Sequence, residues 1–529
     1  MKRPIKTSCI LLAVLFLLTV LFTGCGQRAE EPQQSTVQTT ASSQEASTAE
    51  AVAEPLKEVK LVMYLVGDAY PDAGKVYDEV NKKLKQDINA TVECKYLSWA
   101  DYTTKYSLIF ASGEDFDCIY TADWAYYADQ ATKQGFLELN KDMLQKSMPD
   151  YYALVPPDFW DQVKIDGKIF MVPYLNKQLM GHFMVLTRGD LRAKYSIPQI
   201  KTTADFDNYV TTVIKNEKGM LGYDGDILGL KDLVHNIYYK EPNNLMFLHM
   251  DPQVFTVALD DPTGKVILTL DDPKYIDVLK KTKAMADAGY WSKNVLANKT
   301  LIGDNFQAGK AAFIDHQAES MISGYNTTMA SHPEWLPEVT DLYPDKIHES
   351  SSAVRSGMAI HATSKNVERT LMMLNLFGAH KDYYDLTTYG IEGVHYTAVG
   401  DTKLKILDAG TKLFPMKANC PWGWERKDYI RNPEGTPDYI LNMESNWIKN
   451  GVASTTPAVS FTFVDTNVKN ELAACDNLFK TRGYALIAGL LKDPEAEAAK
   501  LKADLKTAGI DKIQNEIQQQ LTAYFNSLK

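Results

Sequence analysis

Between residues 59 and 121, short apolar runs alternate with amphipathic segments, and this alternation restricts the fold more than any other feature of the sequence. The runs "VKLVMYLVG" (59–67), "ATVECKYLSW" (90–99) and "DFDCIYT" (115–121) are typical of buried strands. The segments between them, 73–88 and 100–113, carry apolar residues at helical spacing. Strands that alternate with helices pair in parallel through helical crossovers, so the pattern predicts an α/β fold.

The loops that leave these strands contain aromatic and carboxylate side chains. In a parallel sheet such loops meet at one edge and line the ligand crevice. Here they contribute Trp99 and Asp101 after the second strand, and Asp123 and Trp124 after the third. Each has an alternative role, because a tryptophan commonly packs in a core and an aspartate before a helix commonly caps it. We expect a binding edge here and leave both roles open.

The rest of the chain alternates less regularly. Strands are predicted in "KIFMVPY" (168–174), "HFMVLTRGDL" (182–191), "AGKAAFI" (308–314) and "GMAIHAT" (357–363). A capped helix is predicted over 202–216, and another over 364–378. The end of the chain is expected to form two helices separated at Gly509, which suits a helix C-cap.

The N-terminus has the pattern of an export signal. A basic start, "MKRPIK", precedes an apolar run from Cys9 to Phe22, which at ~14 residues is shorter than the ~20 that a membrane span needs. The run ends in "LFTGC", which resembles a bacterial lipobox with Phe22 in place of the usual leucine. The resemblance implies a signal peptide over residues 1–24 and lipidation at Cys25. Cleavage elsewhere and an uncleaved anchor are the alternatives.

Residues 25–55 are predicted to be a disordered tether. The segment is rich in Ser, Thr, Gln, Ala and Glu and contains no aromatic residue. Such a composition buries too little apolar surface to offset the entropy of ordering. We expect it to hold the folded part of the chain away from the membrane.

Charge and cysteine content exclude some classes of protein. The net charge is −11 and no strongly basic stretch is present, which argues against binding to nucleic acid. Beyond the N-terminal region the cysteines are Cys94, Cys118, Cys420 and Cys475, with no CxxC pair. Cys94 and Cys118 lie in neighbouring predicted strands, so they are either buried thiols or a disulfide. Buried thiols are the favoured interpretation.

Common enzyme motifs fail on spacing. "GDAYPDAGKV" has six residues between Gly67 and Gly74, where a phosphate-binding loop needs four, and Val76 replaces the required Ser or Thr. The sequence contains neither GxSxG nor HExxH, and its nine histidines are scattered without metal-ligand spacing. We expect no metal and no cofactor. A pair of glycosidase carboxylates stays open, because acidic residues are abundant.

The order of several segments resembles the lipid-anchored substrate-binding proteins of ABC importers, extracellular solute-binding family 1. The segments run over most of the chain: "ASGEDFDCIY", "GFLELN", "IDGKIFMVPY", "VLTRGDL", "TTADFDNY", "FQAGKAAFI" and "MAIHATSKNVERTLMMLNLF". Three further segments resemble the LipO-like subfamily, which has a C-terminal domain of unknown function: "YGIEGVHY", "FTFVDTNVKNELA" and "LKTAGIDKIQNEIQQQL".

The resemblance implies an α/β fold of the two-lobe periplasmic-binding-protein type (type II), with a ligand cleft between the lobes and a C-terminal helical extension. The first lobe is expected to comprise residues 56–172 and about 355–400. The second is expected to comprise residues 173–354 and about 401–529, including the extension.

The resemblance also implies a function without chemistry. The protein would capture a carbohydrate, expected to be an oligosaccharide, outside the cell by closing its lobes, and deliver it to ABC permease subunits. We expect a monomer held on the outer face of the cell membrane by its lipid alone. The alternatives are an anchored glycoside hydrolase, a sugar-sensing or scaffold lipoprotein, and a binder of peptides or other small solutes.

A sugar presents apolar C–H faces and hydroxyl groups, so its cleft needs aromatic rings with carboxylates, amides or imidazoles. Beyond the residues of the first three strands, suitable side chains occur after "MVP", after "AAFID" and in "CPWGWER": Tyr174, His316, Gln317, Trp422 and Trp424. His316 is equally suited to a structural role behind the cleft.

The loop "YGIEGVHY" (389–396) adds three candidates. Its two glycines suit a tight loop with unusual backbone angles. Glu392 and His395 can bind hydroxyl groups or hold the loop itself, and a structural role is favoured for Glu392. Ligand contact is favoured for Tyr389 and His395, and catalysis is the least favoured role of this loop.

Overall fold

The computed structural model describes residues 56–176, 182–248, 250, 252–416, 420–454 and 456–528. The predicted signal peptide, Cys25 and the tether lie outside these residues. Within the described ranges, no helix combines the length and apolar character that a membrane span needs.

The strands fall into small sheets. In chain order they are β1 (Val59–Val66), β2 (Ala90–Leu97), β3 (Cys118–Thr121), β4 (Lys164–Ile165), β5 (Lys168–Ile169), β6 (Val172–Pro173), β7 (Phe183–Arg188), β8 (Leu245–Phe247), β9 (Phe255–Ala258), β10 (Ile267–Leu268), β11 (Phe313–Gln317), β12 (Pro337–Thr340), β13 (Gly357–Ile360), β14 (Tyr396–Val399), β15 (Lys403–Ile406) and β16 (Asn432–Pro433).

Helices connect these strands and form the C-terminal region. They are α1 (Ala73–Ile88), α2 (Tyr102–Ala111), α3 (Tyr127–Thr132), α4 (Lys141–Ser147), α5 (Pro149–Leu154), α6 (Pro157–Gln162), α7 (Gly189–Lys194), α8 (Thr203–Asn216), α9 (Ile227–Asp232), α10 (Pro273–Asp287), α11 (Ile302–Gln307), α12 (Ala318–Ser331), α13 (Val367–Ala379), α14 (Lys381–Tyr389), α15 (Asp408–Lys412), α16 (Asp438–Leu441), α17 (Met443–Lys449), α18 (Lys469–Leu478), α19 (Tyr484–Ile487), α20 (Pro494–Ala508) and α21 (Ile510–Ser527).

The first lobe is built on a five-stranded sheet with the order β2-β1-β3-β13-β6. β1 is parallel to β2 along its whole length and parallel to β3, which confirms the predicted parallel pairing. β13 returns from the second lobe and pairs antiparallel to both β3 and β6. Because β2 and β3 flank β1 in the same direction, the loops that follow them emerge at one edge.

The second lobe contains two three-stranded sheets, one of the order β11-β7-β12 and one, with shorter strands, of the order β10-β9-β8. Both are antiparallel. In the former, Phe183 pairs with Gln317, so the start of β7 lies beside the end of β11. Helix α8 begins with the predicted cap: the Thr202 hydroxyl accepts from the Asp205 backbone N–H, and Asp205 returns the contact.

The C-terminal helices are part of the second lobe's core. Buried residues of α20 and α21 belong to the same apolar cluster as α8 and α10. The Trp291 indole donates to the Ala488 carbonyl at 2.9 Å, which fixes the extension to the loop after α10. The predicted break at Gly509 is confirmed, with φ of 101° between α20 and α21.

Residues 401–436 differ from the predicted lobe division. Leu404, Cys420 and Trp424 pack in the first lobe's apolar core. The chain rejoins the second lobe only at α16 and α17, where Ile440 and Met443 pack with β7 and α12. β14, β15 and β16 thus belong to the first lobe, and the chain crosses to the second lobe after them. Three segments of the described residues therefore cross between the lobes.

The cysteines in the described residues are free thiols. Cys94 on β2 and Cys118 on β3 both pair with Met63 of the intervening β1. Two strand spacings amount to ~9.6 Å, which is beyond the reach of a disulfide. The sheet thus favours free thiols over a disulfide, with Cys118 buried and Cys94 half-buried.

Candidate functional site

Three tryptophans form a cluster at the carboxyl edge of the first sheet. The rings of Trp99 and Trp124 stack with centroids 6.0 Å apart and an interplanar angle of 27°, and the Trp422 ring lies 5.8 Å from that of Trp99. All three are half-buried. We call Trp99, Trp124 and Trp422 the tryptophan platform; it brings together loops after β2 and β3 and a segment some 300 residues further along the chain.

Two tyrosines hold the platform in place. Tyr102 meets both Trp99 and Trp124 edge-on, at 5.7 and 6.0 Å. The buried Tyr120 ring lies 5.6 Å from Trp124 and 5.8 Å from Trp422. Three of these four contacts are edge-to-face, an arrangement that fixes ring orientation, so the platform is a preformed surface.

The segments that cross between the lobes lie beside the platform. Tyr174, on the first crossing, donates its hydroxyl to Ser351 Oγ on the second at 3.0 Å. Ser356 donates to the carbonyl oxygen of Trp422 at 2.9 Å and also contacts the Tyr120 hydroxyl. Tyr174 is itself buried, so it connects the two crossing segments and presents little surface to a ligand.

Arg355 lies on the second crossing and was not among the sequence-predicted residues. Its Nη1 is 3.6 Å from Asp123 Oδ1, and its Nη2 is 3.4 Å from Gln317 Oε1. Desolvation lowers the pKa of the guanidinium, but Asp123 and Glu349 outweigh it and leave the pKa raised. Only its position in the sequence could have indicated a role for Arg355, because the predicted lobe boundary falls at about residue 355.

The second lobe contributes a wall opposite these groups. The His316 ring stacks on Phe183 with centroids 5.6 Å apart and an angle of 20°. Solvent reaches the His316 side chain, yet the protein around it desolvates the imidazole and lowers its pKa. We expect a neutral ring at neutral pH, which offers one donor and one acceptor to a ligand hydroxyl.

The two aspartates have different surroundings. Asp123 accepts from the Trp124 backbone N–H at 2.8 Å, and so lies in the platform itself. Asp101 stands at the N-cap position of α2 but makes no capping hydrogen bond. It accepts from Lys105 at 2.7 Å on the rim, and this contact lowers the pKa of Asp101.

Trp424 and Tyr389 are corrections to the predicted set. Trp424 is only 1% exposed, donates to Thr387 Oγ1 at 3.0 Å and packs on Phe377. Tyr389 is buried and its hydroxyl accepts from the Arg431 backbone N–H at 2.6 Å. Their side chains are enclosed by the first lobe's core, so neither presents a surface to a ligand.

The loop 389–396 is held in shape by its own His395. The prediction that His395 contacts a ligand is therefore also corrected. His395 is fully buried; its Nδ1 accepts from the Ile391 backbone N–H at 2.9 Å. Its Nε2 therefore carries the proton and donates to Asp72 at 3.1 Å. Glu392 is exposed and accepts from the Ala398 N–H, in keeping with the structural role favoured for it.

A second polar cluster lies inside the second lobe. His182 is fully buried between two carboxylates, with Nδ1 2.7 Å from Glu241 and Nε2 2.6 Å from Asp341. The His348 ring stacks on it with centroids 3.7 Å apart. We call His182, Glu241, Asp341 and His348 the histidine cluster.

Among the described residues, the histidine cluster has the composition of a metal site, through His182, Asp341 and His348. Its geometry opposes one. Stacked rings direct their in-plane lone pairs side by side, not at a common point, and both nitrogens of His182 already face carboxylates. The cluster is better described as an imidazolium held between two anions.

A surface cavity of about 800 Å³ opens at the other end of the first sheet. Phe110, Gly113 and His361 line it, near the start of β3 and the end of β13. It is thus separated from the platform by the length of the sheet. Its walls contain none of the platform's tryptophans, and we assign the site to the edge between the lobes.

Comparisons with known proteins agree with this architecture. Residues 457–526 match the family model described as "Domain of unknown function (DUF3502)". Over 478 residues the chain is 23% identical to a carbohydrate ABC transporter substrate-binding protein of Streptococcus pneumoniae, covering 88% of this chain and 91% of that one.

Solved structures of the N-glycan transport solute binding protein NgtS from Streptococcus pneumoniae superimpose on most of the chain. The complex with Man1GlcNAc gives a TM-score of 0.73 at 20% identity, over 88% of this chain and 99% of that one. The complex with Man5GlcNAc gives 0.72 at 22% identity, over 89% and 100%. The chain has the solute-binding-protein fold. The predicted resemblance, with its additional C-terminal domain, is thereby confirmed.

Proposed function

We propose that this solute-binding protein is the extracytoplasmic receptor of a carbohydrate ABC importer and that it binds an oligosaccharide at the tryptophan platform. The observation that carries the proposal is the platform itself: three half-buried, mutually oriented tryptophans beside the segments that cross between lobes. The relative from Streptococcus pneumoniae is named a carbohydrate ABC transporter substrate-binding protein, and two NgtS structures are complexes with Man1GlcNAc and Man5GlcNAc.

The chemistry of the surrounding groups supports a sugar ligand. Indole faces bind the apolar C–H face of a pyranose, and three such faces lie together in the platform. Asp123 supplies an acceptor, Arg355 a donor fork, and His316 one of each. Gln317 adds an amide from the second lobe, so that a bound sugar would contact both lobes at once.

Capture by closure follows from this division of contacts. A ligand that touches both walls binds the closed form better than the open one, and it shifts the population by that difference. We further propose that Cys25 carries the lipid anchor and that permease subunits receive the sugar. Both rest on the sequence and on the family resemblance.

A hydrolase is the less favoured function. Retaining and inverting glycosidases need two carboxyl groups roughly 5–10 Å apart, one of them with a raised pKa. Asp123, the acid nearest the platform, accepts from a backbone N–H and faces a guanidinium. Both partners of Asp123 are hydrogen-bond donors, so this carboxylate is placed as an acceptor in the platform's surroundings.

The proposal is tested by thermal unfolding of the chain beyond residue 24 with a panel of neutral oligosaccharides that includes Man5GlcNAc. A ligand at 100 times its dissociation constant should stabilise the fold by about 2.7 kcal/mol. Every stabilising sugar is then recovered and analysed. Intact sugar supports a receptor, cleaved sugar identifies a hydrolase, and no shift with any sugar would remove the carbohydrate assignment.

A further inference from the structure

We propose that Arg355 is a positioning residue that links the occupancy of the platform to closure of the lobes. The proposal rests on the proposed function for its ligand but on the described contacts for its mechanics. Arg355 reaches both lobes from a segment that belongs to neither sheet. Closure therefore moves its partners relative to each other.

The backbone around Arg355 is attached to the first lobe. The Asp123 N–H donates to the Val354 carbonyl at 2.9 Å, and the Trp124 indole donates to the Arg355 carbonyl at 3.3 Å. On the other side, the Tyr174 N–H donates to the Ser356 carbonyl at 3.0 Å. Any displacement of the platform is thus transmitted to the peptide units on both sides of Arg355.

The guanidinium of Arg355 extends from this attachment towards the second lobe. It faces Asp123 on one side and Gln317, at the junction of β11 and α12, on the other. Both contacts, 3.6 and 3.4 Å, are longer than the 2.7–2.9 Å typical of charge-assisted hydrogen bonds. Both contacts can shorten as Gln317 approaches the guanidinium. The shorter contacts would stabilise the closed form relative to the open form.

Two lysines of the second lobe lie beside carboxylates of their own lobe or of the second crossing. Lys231 Nζ lies 3.6 Å from Asp232, and Lys240 Nζ lies 3.2 Å from Glu241 and 3.3 Å from Glu349. A lysine at position 355 would keep the charge but offer no planar fork for two partners at once. The role thus depends on the guanidinium shape as well as on its charge.

A sugar on the platform would act through these contacts. It would contact the ring of Trp124, whose indole N–H donates to the Arg355 carbonyl. Its hydroxyl groups would lie between Asp123 and Gln317. The guanidinium then completes a continuous set of contacts from the first lobe through the ligand to the second. Loss of the fork should speed ligand release and leave encounter nearly unchanged.

The first experiment uses no ligand. Small-angle X-ray scattering of the chain beyond residue 24 compares the wild type with Arg355→Gln, Arg355→Lys and the control Arg192→Gln. The control removes an ion pair of the second lobe, Arg192 with Glu338 at 2.6 Å. We expect a larger radius of gyration for Arg355→Gln, a smaller increase for Arg355→Lys and none for the control. Identical scattering for Arg355→Gln and wild type would overturn the proposal, whichever sugar binds.

The second experiment measures binding kinetics with the sugars that stabilise the wild type. Arg355→Gln should raise the dissociation rate about tenfold with little change in association rate. Combining it with Asp123→Asn should cost less than the sum of the two single changes, because both act on one contact. A pure loss of association rate would contradict the proposal. If no sugar binds wild type, the proposed function fails and the scattering result still decides the role of Arg355.

Discussion

At the scale of single residues, Trp99 and Trp424 show how burial separates two tryptophans with similar sequence surroundings. Both precede or follow charged residues in loops of the first lobe, and the sequence predicts both as cleft residues. Trp99 is half-buried and stacks on Trp124, whereas Trp424 is enclosed and hydrogen-bonded to Thr387. Substitution of the two should therefore have different consequences.

We expect Trp99→Ala to weaken sugar binding by about tenfold while the midpoint of unfolding changes little, because it removes a face of the platform. Trp424→Ala should lower the free energy of unfolding by about 3–5 kcal/mol through the cavity it leaves. Isothermal titration and denaturant unfolding measure the two effects. Trp335→Ala, which removes a buried ring of the second lobe, is the control and should leave affinity unchanged. Equal affinities for Trp99→Ala and wild type would remove the platform from the site.

The histidine cluster predicts how stability depends on pH. Burial lowers the pKa of His182, but Glu241 and Asp341 outweigh it and raise the pKa from 6.5 to about 9. A raised pKa means that the native state holds the proton more tightly, so this stability is fully present below about pH 6.5 and is lost as pH rises through about 9. The loss should amount to roughly 2–4 kcal/mol between pH 7 and 10.

The carboxylates of the histidine cluster make stability depend on pH in the acid range. Burial raises the pKa of Glu241, but Lys240 and His182 outweigh it and lower the pKa from 4.5 to about 2. This contribution is present above about pH 4.5 and is lost as pH falls through about 2. His182→Gln should abolish the alkaline loss and destabilise the fold at pH 7, because it removes the positive charge that lies between Glu241 and Asp341. Urea unfolding from pH 4 to 10 measures this, with the exposed His380→Gln as control; an unchanged alkaline loss in His182→Gln would contradict the assignment.

At the scale of elements, agreement with the sequence follows the strength of the local signal. β1, α1 and β2 occur where the alternation predicts them. The two strands belong to the first sheet, α1 packs on it, and a turn bounds each element on both sides. The segment 168–174 instead forms β5 and β6, two residues each, because the first pairs with β4 and the second with β13. β11 begins later than predicted, because register with β7 decides its bounds and no local pattern encodes that partner.

The loop 389–396 offers a test of backbone strain. Gly390 has φ 82° and ψ −154°, a region that is essentially restricted to glycine, and an added Cβ would lie 2.6 Å from His395 Nδ1. Gly390→Ala should lower the free energy of unfolding by about 1–3 kcal/mol. Gly393 has a similar φ of 79° with open space around it, so Gly393→Ala is a matched control with a smaller loss. Denaturant unfolding compares them, and equal losses would show that the contact with His395 is unimportant.

At the scale of the whole molecule, most of the candidate site could be predicted from the sequence. Trp99, Asp123 and Trp124 follow strands whose order and direction are predictable, so their meeting at one edge was expected. Arg355 and Phe183 were not, because they act from a crossing and from the first residue of β7, where no periodicity is present. Their role depends on how the lobes meet, which is a property of the assembled chain.

The charges around the cleft predict which sugars the molecule selects. Arg355 is balanced by Asp123 and Glu349. Burial raises the pKa of Tyr70, and Asp304 on α11 and Asp68 after β1 raise it further. With a net charge of −11 in addition, the protein repels an approaching anionic sugar. We expect neutral oligosaccharides to bind with affinities that change less than about twofold between 50 and 500 mM NaCl, as screening predicts for uncharged ligands.

Titration with matched pairs of sugars, one neutral and one carrying a uronate or sialate, measures this preference at both salt concentrations. The acidic member should bind more weakly, and its affinity should improve as salt screens the repulsion. Asp123→Asn is the informative variant, because it frees Arg355 from its carboxylate and should narrow the difference within each pair. Tighter binding of the acidic member by wild type at low salt would mean that Arg355 is available to a ligand carboxylate, and that Asp123 does not neutralise it.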